Sequence, residues 1–180
     1  MNYKSFLLII SVSLSLSSCE FNCSVGKAKK DVEVTGTVKV KEGARIYNNI
    51  ELQASGVKVD KAYLIFDNGE RVPDDNFVDF TSPVKIHILV DSGWVEENGK
   101  VMLGASEKIT AESGNVVVEE VDLFEKYPEG ISAEDARSIY LSAIFTIKEG
   151  APPTSFTVSF RVWDKKGAGF IEGSFKLYSK

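Results

Sequence analysis

The chain has 180 residues and a net charge of −5, with 21 Lys and Arg against 26 Asp and Glu. That acidic balance argues against a nucleic-acid binder, which needs a concentrated basic surface, and against polybasic attraction to anionic lipid. With one histidine and two cysteines, a zinc centre is not expected.

Residues 1–18, MNYKSFLLIISVSLSLSS, carry one positive charge at Lys4 and then an apolar and small-residue run from Phe6 to about Leu16. This is the charged start and apolar middle of a secretory signal. The run is shorter than the ~20 apolar residues of a membrane-spanning helix. It ends in Leu16-Ser17-Ser18-Cys19, an aliphatic residue and two small ones before a cysteine. This segment resembles the lipobox of bacterial lipoproteins. The resemblance covers residues 1–19 only. It implies cleavage before Cys19, a diacylglyceryl thioether on that cysteine, and attachment to a bacterial membrane in the cell envelope. The outer membrane is the expected one, with the periplasmic or surface face left open. Multiple acyl chains give stable anchoring, since each buried methylene adds about 0.8 kcal/mol.

Residues 19–31 read as a flexible tether. Cys23 lies within it and is expected to be an inert tether residue, with a free reactive thiol or an intermolecular bridge as the alternatives. Once Cys19 is lipidated no second cysteine is left for an intramolecular disulfide. Without residues 1–18 the chain has 162 residues and a charge of −6, enough for one domain with a sizeable core, placed at 32–180.

Period-two alternation dominates that domain. Val32–Thr35 and Thr37–Lys41 alternate apolar with polar residues, as does a run from Arg45 to Gln53. Ala62–Phe66 ends in the turn Asp67-Asn68-Gly69; Asn76–Phe80 and Val84–Val90 follow. Asn98-Gly99 marks another turn before Lys100–Leu103, and Glu107–Thr110 and Asn115–Val121 are further strands. Asp122–Tyr127 reads as one helical turn ended by Pro128, and Ser132 as an N-cap with Glu134 and Asp135 in the first turn. Ile139–Lys148, Phe156–Trp163 and Phe170–Tyr178 return to strand chemistry. Eight to ten short strands between Gly, Asn and Pro turns predict an all-β fold, a β-sandwich of immunoglobulin-like or jelly-roll-like kind with one or two helical turns.

A shift of 74 residues aligns 56–106 with 130–180 at seven identities, among them Val84/Val158, Gly93/Gly167 and Gly99/Gly173. Chance gives about three or four, so a repeated strand–turn–strand unit stands beside the plainer explanation that such units look alike. A true repeat requires 84–103 and 158–177 to share a shape.

Chemistry is sparse. His87, on the polar side of its strand, is expected to be solvated; a catalytic triad would place it beside a serine and an acid. The sequence contains no nucleophile elbow, zinc motif or phosphate loop. Asp74, Asp75 and Asp79, and Glu119, Glu120 and Asp122, lack calcium-loop spacing and read as solvated charges. No metal and no cofactor is expected. The aromatics are more informative. Trp94 follows Gly93 in a loop, and Trp163 falls on the polar side of its strand with Thr157, Ser159 and Arg161. An outward tryptophan is either covered by another segment or part of a contact surface. Phe124 and Tyr127 form a rim or a lid.

These readings predict a non-enzymatic envelope module that binds a glycan, peptide or partner protein, with Trp94 and Trp163 as contact residues. The alternatives are a structural accessory lipoprotein using a free sheet edge, and a hydrolase with two carboxylates in one cleft.

Overall fold

A computed structural model describes residues 38–39, 43–143, 145, 147 and 152–179. The expected signal segment, Cys19, the expected tether with Cys23, and most of the runs Val32–Thr35 and Thr37–Lys41 lie outside them. The described residues belong to one compact unit.

Among the described residues fourteen strands form three sheets. In chain order they are β1 (Val38–Lys39), β2 (Arg45–Ile46), β3 (Glu51–Ser55), β4 (Lys58–Phe66), β5 (Phe77–Val78), β6 (Val84–Ser92), β7 (Glu96–Glu97), β8 (Lys100–Val101), β9 (Leu103–Ala111), β10 (Val116–Glu120), β11 (Ile131–Ser132), β12 (Ser138–Ala143), β13 (Ser155–Asp164) and β14 (Phe170–Ser179). The large sheet has seven strands in the order β1-β3-β14-β13-β9-β10, with β5 also on β14. The second has four, β12-β6-β4-β2, and a small third sheet runs β11-β8-β7. The chain is an all-β sandwich.

Alternation explains the layering. On β13, Phe156, Val158, Phe160 and Val162 are buried while Ser159 and Arg161 are exposed. The inward rows of β4, β6 and β12 (Leu64, Ile86, Ile88, Leu141) join those of β9, β13 and β14 (Ile109, Val158, Ile171, Leu177) in one core. Each such side chain contributes about 1.5–3 kcal/mol on leaving water.

The expected run from Arg45 to Gln53 is not one strand. Asn48 and Asn49 take positive φ angles of 56° and 51°, so β2 and β3 leave this corner for opposite sheets. Two buried amides hold the corner. Asn48 Nδ2 donates to the carbonyls of Val72 and Pro73 and to Asn76 Oδ1, and Asn48 Oδ1 accepts from the Leu64 amide. Asn76 Nδ2 donates to the carbonyls of Asn48 and Lys176. Both sheets are thereby tied to one point.

The Asn98-Gly99 turn forms as expected, with positive φ at both residues. The Asp122–Tyr127 segment is a set of turns rather than a helix, and the helical turn found among the described residues is a 3-10 turn at Asp135–Arg137, whose first amide donates to Ser132 Oγ at 3.0 Å.

The 74-residue repeat does not survive. Residues 158–177 lie in the β13–β14 hairpin of the large sheet. Residues 84–103 begin as β6, paired with β4 and β12, and continue into a separate small-sheet hairpin. The aligned glycines also do different work. Gly93, at φ 116°, has no room for a Cβ beside the Gly56 carbonyl, whereas Gly167 sits in a turn held by the Asp164 carboxylate.

Candidate functional site

The antiparallel register of the large sheet lines up its outward side chains in rows. Gln53, Glu172, Arg161 and Ser106 form one row, and Glu51, Ser174, Ser159 and Lys108 the next. On the other side of the first row stand Phe170, Trp163 and Gly104. Gln53 Nε2 donates to Glu172 Oε1 at 2.8 Å, and Arg161 Nη1 lies 3.5 Å from Glu172 Oε2. The Arg161 guanidinium also stands 4.7 Å over the Phe170 ring. It is thus held both by a carboxylate and by a ring face while its side chain stays 51% exposed.

Three recesses meet at this arginine. One, about 480 Å³, runs over Gln53, Ser159, Glu172 and Ser174, where small side chains keep the floor low. A second, about 500 Å³, is walled by Trp163, Phe170 and the turn at 167–169. A third, about 370 Å³, extends past Ser106, Lys108 and Glu119. The turn wall is preorganised. Buried Asp164 accepts from the amides of Lys166 and Gly167 through one oxygen and from the Val95 amide through the other.

Trp163 lies flat because its strand neighbour is a glycine. A Cβ on Gly104 would fall 2.2 Å from the indole carbons, so only a bare backbone admits the ring there. Trp163 is therefore a half-buried wall of the face, as its place on the polar side of the strand suggested. Trp94 does not join it. Its indole N–H donates to the Ala136 carbonyl at 3.0 Å and its ring packs against the core, making it a structural contact. Phe124 also packs on the core, and Tyr127 is exposed beside it.

His87 is not solvated. It is 7% exposed on the outer face of the four-stranded sheet, between Tyr63 and a Tyr140 ring stacked on it at 4.1 Å. Nδ1 pairs with the Tyr63 hydroxyl and Nε2 with Ser138 Oγ, both at 2.8 Å. Burial, and then the Lys61 charge, hold its pKa below the ordinary value. A serine is in place beside the ring, but a phenol occupies the position an acid would take in a triad. Alternation put His87 on the outer face; it carried no sign of the three neighbours, from β4 and β12, that cover it there.

The carboxylate clusters serve local structure. Asp75 and Asp79 accept backbone amides two residues on, and Glu119 and Asp122 pair with Lys108 and Lys165. Among the described residues no three His, Cys, Asp or Glu converge as a metal set. Glu107 stands apart. It faces the core from β9 at 2% exposure, and burial, then Glu120, push its carboxyl up to about 7. The pair lies across neighbouring strands at the third recess, with Glu107 itself closed to solvent. Comparison with known proteins finds no matching family model and no matching curated protein.

Proposed function

We propose that this chain is a non-catalytic binding module, held at a bacterial envelope membrane by lipid on Cys19, that takes an oligosaccharide on the outer face of its seven-stranded sheet. The observation that carries this is the meeting of three recesses at Arg161, between the hydrogen-bonding row of Gln53 and Glu172 and the rings of Trp163 and Phe170. Sugars present hydroxyls at the ring edge and C–H groups on the ring face. Planar amide, carboxylate and guanidinium groups suit the first and aromatic faces the second. A shallow, open face suits binding along a chain rather than enclosure of a small substrate.

The test is a glycan panel with Arg161→Ala, Trp163→Ala and Gly104→Ala, the last designed to lift the indole off the strand. A bound glycan should lose about tenfold or more in affinity with each. A panel hit that all three variants leave unchanged moves the site elsewhere. The anchor is tested separately. Cys19→Ala should shift the protein from the membrane fraction to the soluble fraction; retention in the membrane would refute lipid attachment there.

One observation favours the accessory reading. Among the described residues β10 ends the large sheet, paired with β9 alone, and Val116, Val117 and Val121 are exposed along that segment. An edge of this kind accepts an added strand. A blank glycan panel, together with loss of envelope-complex association in Val117→Lys, would put that reading first.

A further inference from the structure

The recesses around Arg161 continue along β14. On this strand Phe170, Glu172, Ser174, Lys176 and Tyr178 share the outer side, while Ile171, Phe175 and Leu177 are buried. The recess walled by Trp163 and Phe170 meets the one over Gln53 and Glu172 at Arg161. A fourth recess, about 210 Å³, begins where that one ends. Glu51 and Ser174 line both, and the fourth runs on over Thr157 and Lys176 to Tyr178. The three form one trough. From Phe170 to Tyr178 it follows the strand for about 27 Å, at the rise of an antiparallel strand.

The far end is aromatic like the near one. Phe77 lies opposite Tyr178 in the parallel β5–β14 pair, is 44% exposed, and sets its ring 5.2 Å from the Tyr178 ring. The two rings are held in place. The Tyr178 amide donates to the Asn76 carbonyl at 3.0 Å, and buried Asn76 Nδ2 donates to the carbonyls of Lys176 and Asn48. The amide corner that ties the two sheets therefore also seats Phe77 beside Tyr178. Between the ends the floor is low and polar, with Ser159, Thr157 and Ser174. The charged side chains of the trough that reach solvent are Arg161 and Lys176 against Glu51 and Glu172, two of each sign. A charged polymer gains little from that balance. A neutral ligand rich in hydroxyls finds donors and acceptors along its whole length.

We infer that the trough is one extended site for a neutral, linear oligosaccharide, which lies on Trp163 and Phe170 at one end and on Phe77 and Tyr178 at the other. The extended site rests on the glycan reading of the Arg161 face, and adds the ligand's length, its lack of charge and a second aromatic contact. A peptide strand is the poorer occupant. Its amides would need a sheet edge to pair with, whereas the floor here is sheet face, with β14 already paired to β13, β3 and β5.

The experiment titrates the full chain with cello-, manno-, xylo-, chito- and malto-oligosaccharides, from disaccharide to hexasaccharide. Calorimetry gives affinities, and NMR follows the rings of Trp163, Phe77 and Tyr178. In the series that binds, the disaccharide should shift Trp163 alone and the hexasaccharide all three rings. Affinity should rise about tenfold or more from the one to the other. Phe77→Ala and Tyr178→Ala should each remove most of that rise and leave the disaccharide unchanged, while Trp163→Ala weakens both. Thermal melts check that the variants fold; if Tyr178→Ala does not, exposed Phe77 and the wild-type ring shifts carry the test. The extended site is overturned, with the glycan reading intact, if a sugar binds at Trp163 equally well at every length and neither Phe77 nor Tyr178 responds. A galacturonate oligomer that binds more tightly than every neutral series would overturn the lack of charge. If no sugar of any length binds, both readings fall, and an extended proline-rich peptide that shifts the same rings would take the trough instead.

Discussion

Replacing Glu107 with leucine should stabilise the protein by about 4 kcal/mol at pH 8, an unusual gain for a core substitution. Glu107 points inward between Ala105 and Ile109, opposite Phe160 on one neighbouring strand and Glu120 on the other. Its Oε1 is buried with no hydrogen-bond partner among the described residues. Burial, then Glu120, push its carboxyl from the ordinary 4.5 up to about 7. Between those values the folded state holds a proton that the unfolded state has released, so stability falls as pH rises and the loss is complete above about 7. Leucine has a similar volume and no charge to bury. Urea unfolding of wild type, Glu107→Leu and Glu107→Gln from pH 4 to pH 8 measures this. The leucine advantage should shrink to about 1 kcal/mol at pH 4, where only a neutral, poorly bonded acid remains buried. An advantage independent of pH, or a leucine variant weaker than wild type at pH 8, would show that Glu107 is ionised and stabilised in place.

Asn48→Ala should lose about 4 kcal/mol of stability, the largest destabilisation expected of a single change here. The substitution removes an acceptor for the Leu64 amide and the donor for two carbonyls and Asn76 Oδ1, all in a site 2% exposed. Asn49 supplies the control. Its φ is also positive, at 51°, but it is exposed and makes a single side-chain hydrogen bond, to the Asp74 carbonyl at 3.3 Å. Asn49→Ala should therefore lose only about 1 kcal/mol, the strain of a left-handed alanine. Asn48→Asp keeps the shape but turns a carboxylate oxygen on the Val72 and Pro73 carbonyls, and should lose as much as alanine. Denaturant melts of the three variants decide it. Equal losses for Asn48→Ala and Asn49→Ala would mean that backbone strain, and not the amide network, holds the corner.

The candidate face was partly legible. Strict alternation from Phe156 to Trp163 put Arg161 and Trp163 on the polar side of a strand, and the structure finds them there. Three things were not legible. The flat seat of Trp163 depends on Gly104, two strand positions that meet only through pairing. The Gln53–Glu172 hydrogen bond joins residues 119 apart. His87 looked like a solvated residue because its own strand gives it polar-side phase, while Tyr63, Ser138 and Tyr140 reach it from two other strands.

By itself, then, the sequence determined the all-β class, the Asn-Gly turns, and which residues of a strand share a side. These follow from local backbone geometry, where a two-residue period and a positive-φ turn are properties of neighbours. It also carried a segment, Leu16–Cys19, that resembles a lipobox, a linear pattern that is read without a fold. Tertiary structure alone decided which sheet each strand joined. Asn48 breaks an apparently continuous strand because its amide finds partners in the 72–76 loop and on β4. The two segments aligned as a repeat differ because one pairs with itself and the other with distant strands. Pairing partners are chosen by burial and hydrogen-bond satisfaction summed over the whole sandwich, and no short window contains that sum.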